Sequence, residues 1–105
     1  MNIISMFLEK QKQKFVYLVT LRETNYGDIY SYANIFNSIE KAKKFLAKQV
    51  EFSILEIIEE EECAREDIEK REFLKDMEIE LEYDSRYYSF SICRMPMNNK
   101  FFTEI

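Results

Sequence analysis

Hydrophobic and polar positions follow three different rhythms along the chain. "KFVYLVTLR" (14–22) crowds β-branched and aromatic residues together, as in a strand buried on both faces or nearly so. "ETNYGD" follows with Asn25 and the only glycine, Gly27, which is turn chemistry. "IYSYANIF" (29–36) then predicts a second strand and completes a hairpin. From there the spacing changes. Ile39, Ala42, Leu46, Val50, Ile54 and Ile57 recur at steps of three and four, forming one stripe of a helix that lies on the sheet. Asn37 or Ser38 supplies the cap, and Glu40 stands three residues after Asn37, the capping-box spacing.

Beyond the helix, "AREDIEKREFLKDM" (64–77) contains no glycine or proline. It reads as a second helix or as a continuation of the first, with any break between residues 58 and 68. "MEIELEY" (77–83) alternates strictly: Met77, Ile79, Leu81 and Tyr83 point one way, Glu78, Glu80 and Glu82 the other. "DSR" turns the chain, and "YYSFSICRM" (87–95) returns as a strand with Tyr88, Phe90 and Ile92 on one face. Pro96 is expected to end the pairing, leaving "MNNKFFTEI" as a tail that Phe101 and Phe102 dock. The fold class expected is therefore α+β, in the order ββα(α)ββ. An antiparallel four-stranded sheet carries one long helix, or two consecutive ones, on one face. Residues 1–105 read as a single domain, with an N-terminal segment at 1–12 and a tail at 97–105.

Composition narrows the function more by exclusion than by motif. With 47% hydrophobic residues the chain can bury a core, and with one Gly and one Pro it should be mostly regular structure. No secretory pattern opens the sequence and no run approaches a membrane span, so a cytoplasmic location is expected. Cys63 and Cys93 fit reduced thiols acting as small buried hydrophobes. Without histidine there is no Ser-His or Cys-His pair. The two cysteines lack zinc-site spacing, one glycine cannot build a phosphate loop, and Asp28 and Asp84 lack calcium-loop neighbours. No enzyme, metal or cofactor is expected. Tyr17, Tyr30, Tyr32, Tyr87 and Tyr88 could stack on bases, but the net charge of −5 opposes direct nucleic-acid binding.

That charge is concentrated. Residues 56–84 hold fourteen acids against four bases. On one helix, Glu59, Glu62, Glu66 and Glu69 would fall at steps of three, four and three and make a single stripe. Like charges at those spacings, late in a helix where the dipole is negative, weaken local stability. Two roles remain: solubility, or a surface that imitates a phosphate backbone for a basic partner. Glu78, Glu80 and Glu82 would extend such a surface. Phe45, Phe52 and Leu55 fall off the helix stripe, among Lys41, Lys44 and Lys48. They are either covered by residues 1–8 or 65–75, displaced by a bend near Phe52-Ser53, or part of a contact face.

The pattern "FVYLVTLRETNYGDIYSYANIF…SIEKAKKFLAKQ…MEIELEYDSRYYSFSI", in a small, acidic, aromatic-rich chain, resembles the accessory proteins of phages and mobile elements. It is similar in kind to anti-CRISPR proteins. The resemblance implies an inhibitor of a nucleic-acid-binding defence protein, such as a CRISPR effector nuclease, acting in the cytoplasm of a host bacterial cell. The charge pattern nominates Glu59, Glu60, Glu62, Glu66 and Glu69 as partner-binding residues, with Phe45 and Phe52 as apolar anchors. The alternative is a homodimer or larger homo-oligomer, a structural or accessory protein with Phe45, Phe52 and Leu55 as its self-interface.

Overall fold

The computed structural model describes residues 14–97; the expected N-terminal segment (1–12) and the tail from residue 98 onward lie outside the described residues. Strand β1 (Lys14–Asn25) and strand β2 (Asp28–Phe36) form the expected hairpin, followed by helix α1 (Ile39–Glu61). A short 3-10 turn (Arg65–Asp67) then leads into β3 (Glu69–Phe73), β4 (Glu78–Tyr83) and β5 (Arg86–Met97). The class is α+β, and the sheet is antiparallel with order β2-β1-β5-β4-β3. Five strands in the order ββαβββ replace the four expected.

One face of the sheet is covered by α1. Ala42, Leu46, Val50, Ile54 and Ile57 bury the stripe read from their spacing, and Ile39 packs at its margin. They meet Val19 of β1, Ile79 and Leu81 of β4, and Tyr88, Phe90 and Ile92 of β5. Tyr88 and Phe90, both fully buried, lie nearly parallel with ring centroids 6.4 Å apart. Alternation along β4 and β5 puts these side chains under the helix and sends Glu80 and Glu82 to the opposite face. The helix begins at Ser38, whose hydroxyl accepts the Lys41 amide at 3.1 Å. Asn37 forms no capping box, because Ser38 already holds that position in extended conformation.

Residues 64–77 are not a second helix. Glu62 adopts φ 52° and ends α1 in a left-handed cap, and the Ala64 amide is then held by the Asp67 carboxylate at 3.0 Å. This turn drops Ile68 into the core, and "EKREF" pairs along β4 as an edge strand. The segment therefore never covers the back of the helix. Pro96 does not end the pairing either: it lies opposite Phe15. The even positions of β5 hydrogen-bond toward β4, whose register stops at Glu78↔Ser91, so the missing N–H of Pro96 faces no strand among the described residues. Cys93, expected buried, is exposed, and both cysteines are free.

The tight hairpins need left-handed residues. Tyr26 (φ 50°) and Gly27 (φ 93°) close β1–β2, and Asp84 (φ 50°) starts the β4–β5 turn. Leu74, Lys75 and Asp76 are consecutively left-handed between β3 and β4. Two outcomes follow for urea denaturation. Leu46→Ala should cost about 3 kcal/mol, the usual range for emptying a core site. Glu62→Gly should stabilise by about 1 kcal/mol, relieving a left-handed cap and removing a carboxylate from the negative helix pole.

Candidate functional site: the acidic end

Three elements converge at one end of the sheet. The β1–β2 turn and the β4–β5 turn lie side by side, with the Tyr26 amide donating to the Ser85 carbonyl at 3.1 Å. The C-terminal turn of α1 comes down onto them carrying Glu59, Glu60, Glu61 and Glu62. Between helix and turns sits Arg86, the first residue of β5, only 7% exposed. Period-two alternation from Tyr88 and Phe90 puts its side chain on the covered face.

Arg86 joins the three. One of its amino groups pairs with Glu60, and Nη1 donates to the Tyr88 hydroxyl at 3.4 Å. Nε lies 2.9 Å from Glu61 Oε1, close enough for an ion pair but not aligned for a hydrogen bond. The guanidinium carbon stands 5.8 Å from the centroid of the Tyr26 ring, and the Tyr26 hydroxyl donates to Glu61. Burial works against the Arg86 charge, but Glu60 and Tyr88 outweigh it and hold the guanidinium more firmly protonated. The Tyr88 phenol is pushed up to about 12, first by burial and then by the charge of Glu23. Tyr26 is also raised, chiefly by its hydrogen bond to Glu61.

Further carboxylates crowd the same end. Tyr83 is raised by burial and then by the negative surroundings of Cys63, Asp67, Glu61 and Asp84. Glu56 is raised by burial, then by Glu23 and Glu60. Glu59, Glu62 and Glu66 are exposed and have no ion-pair partner among the described residues. The nearest cation in sequence, Arg65, turns back along the helix to Glu51, with Nη1 3.0 Å from Oε2. Among the described residues, this end therefore presents unpaired negative charge around one buried cation.

Of the seven residues nominated from the sequence, four belong here: Glu59, Glu60, Glu62 and Glu66. They do not form one helical stripe, since the helix stops at Glu61 and Glu66 lies in the 3-10 turn. Glu60 is committed to Arg86. Glu69 lies on the opposite sheet face, where Arg71 gathers Glu69 at 2.9 Å and Glu80 and Glu82 at 3.0 Å each. The strand carboxylates thus do not extend the acidic end. Phe45 is half-buried against Phe36, ring centroids 5.0 Å apart, and so is no free anchor. Phe52 is 68% exposed. It borders a groove of about 340 Å³ between α1 and β2, lined also by Leu21, Tyr32, Asn34 and Glu56. Arg86, Tyr26 and Tyr83 were not nominated. The signal for Arg86 was present: it is the charged residue two places before Tyr88, on the face assigned to the core. Comparison with protein-family models, curated proteins and solved structures found no match.

Two arginines separate burial from surface pairing. Arg86→Met should cost about 3 kcal/mol, because it empties a buried site and leaves the largely buried Glu61 carboxylate without its cation. Adding Glu60→Gln and Glu61→Gln should recover much of that loss. Arg71→Met, at a site where the guanidinium and two of its three partners, Glu69 and Glu82, reach solvent, should cost about 1 kcal/mol or less. Glu56 gives a pH dependence of opposite sense to a salt-bridged acid. Its folded pKa lies above the ordinary carboxylate value, so folding takes up a proton in that window and stability falls as pH rises through it. Glu56→Gln should therefore raise Tm at pH 7, with the gain shrinking toward zero as pH falls below the carboxylate range.

Proposed function

We propose that the protein is a non-catalytic binding protein whose acidic end engages a basic, nucleic-acid-binding surface on a protein partner. The observation that carries this reading is the trio Glu59, Glu62 and Glu66: exposed, unpaired among the described residues, and placed around the end of one helix. Local stability gives no reason for Glu59 and Glu62 there, since acids at a helix C-terminus each cost about 0.3–1 kcal/mol. Their placement raises the association rate with a basic groove and discourages like-charged partners. A CRISPR effector nuclease is a partner of this chemistry, and occupying its nucleic-acid channel would make the protein an inhibitor.

The test is affinity capture from bacterial lysate expressing CRISPR effectors, beside the triple variant Glu59→Lys, Glu62→Lys, Glu66→Lys. A basic nucleic-acid-binding protein should be retained by the wild type and lost by the variant. Its retention should weaken at least about tenfold between about 50 and about 200 mM salt, as charge-driven contacts do. Equal, salt-insensitive retention by both would sink the acidic mechanism.

A further inference from the structure

The two edges of the sheet are built differently. Edge strand β3 is five residues long and reads "EKREF", four charges in a row, which is the usual protection against adding another strand. Edge strand β2 is nine residues long, "DIYSYANIF", with Asp28 as its one charge and no proline or glycine. Ile29, Tyr30, Tyr32 and Ile35 on it are 56%, 49%, 52% and 68% exposed.

Hairpin geometry decides which backbone groups of β2 face outward. Asn25↔Asp28 closes the two-residue turn and is therefore a hydrogen-bonded pair. By alternation Tyr30, Tyr32, Asn34 and Phe36 also bond to β1. The N–H and C=O groups of Ile29, Ser31, Ala33 and Ile35 consequently point to the free edge. Among the described residues no strand lies there.

We propose that β2 pairs antiparallel with β2 of a second copy of this chain, about a two-fold axis through Tyr32. With the axis at Tyr32 every outward residue meets an outward residue: Ile29 faces Ile35 of the second copy, and Ser31 faces Ala33. Four such reciprocal pairs form, each exchanging two bonds, for eight backbone hydrogen bonds. Shifting the axis to Ser31 or Ala33 leaves outward groups unpaired at one end. The side chains fit the same register. The two large exposed isoleucines cover each other on the open face. Tyr32 meets its own copy on the helix face, beside the groove where Phe52 stands exposed. Asp28 faces Phe36, so no like charges meet. The axis is perpendicular to the sheet, which keeps both helices on one face and sends the two acidic ends in opposite directions. This interface is separate from the acidic end and does not depend on its function.

The oligomeric state of the full chain tests this, by sedimentation at about 100 µM, a concentration at which micromolar pairing is complete. The wild type should sediment at twice the 12.8 kDa chain mass. Ala33→Pro removes an outward N–H while leaving the bonds to β1, so it should give a folded monomer by circular dichroism. Ile35→Lys, which places a charge on the edge, should do the same and serves if the proline variant fails to fold. In a Cys63→Ser, Cys93→Ser background, Tyr32→Cys should cross-link to a disulfide dimer on mild oxidation, because position 32 meets itself; Ser31→Cys should not. A monomeric wild type overturns the proposal, as would the case of residues 1–13 or 98–105 covering the edge. A dimer unmoved by the folded edge variants overturns it equally.

Discussion

A helix that ends in four consecutive glutamates has to be set down on a sheet, and Arg86 is what allows it. The last turn of α1 contains no basic residue, so the helix dipole and the side chains there share one sign. A cation supplied from the helix itself would be exposed and weakly coupled. Arg86 comes instead from the sheet, buried at the start of β5, and meets Glu60 and Glu61 in a region of lower dielectric. Its burial is possible because Glu60, Glu61, Tyr88 and Tyr26 surround it with opposite charge, a hydroxyl and an aromatic face. That contact ties the last turn of α1 to the start of β5 and, through Tyr26 and Glu61, to the β1–β2 turn.

The remaining acids divide by the sheet face they reach. Alternation sends Glu80 and Glu82 to the open face, where Arg71 of the neighbouring strand binds them. Those carboxylates share one guanidinium with Glu69, which offsets part of their charge and ties β3 to β4. Among the described residues the acids at the helix end have only the buried cation, and Arg65 is taken by Glu51. A sequence that reads as one acidic block thus divides into a partly paired cluster on the open sheet face and an acidic end beside the helix.

Strict periodicity makes most of this fold legible in the sequence. The helix stripe from Ala42 to Ile57 and the alternations from Ile79 to Leu81 and from Tyr88 to Ile92 all bury as spaced, because each has a repeating apolar position. β3 carries no such signal. Glu69, Lys70, Arg71 and Glu72 are polar on both faces, as an edge strand allows, and charges at helical spacing imitate a surface helix. The acidic site was half legible for the same reason. Glu59, Glu60 and Glu62 stand out by composition, while Arg86 is visible only by extending the β5 alternation back through the turn. Phe45 and Phe52 looked alike in sequence, yet Phe45 found Phe36 and Phe52 found only the groove edge.

The break after Glu61 shows how tertiary demands override local preference. Continuing the helix would add Glu62 and Glu66 to a pole already negative and would carry Ile68 past the end of the sheet. A left-handed Glu62 costs about 1 kcal/mol in backbone terms, but it lets Ile68 bury and Asp67 hold the Ala64 amide. Burying one isoleucine is worth about 2 kcal/mol or more, and β3 adds its ladder to β4. The balance therefore favours the turn even though no glycine or proline marks it. The same turn leaves Glu62 and Glu66 in solvent beside the helix end, so the charge of that end is a consequence of where Ile68 needs to be.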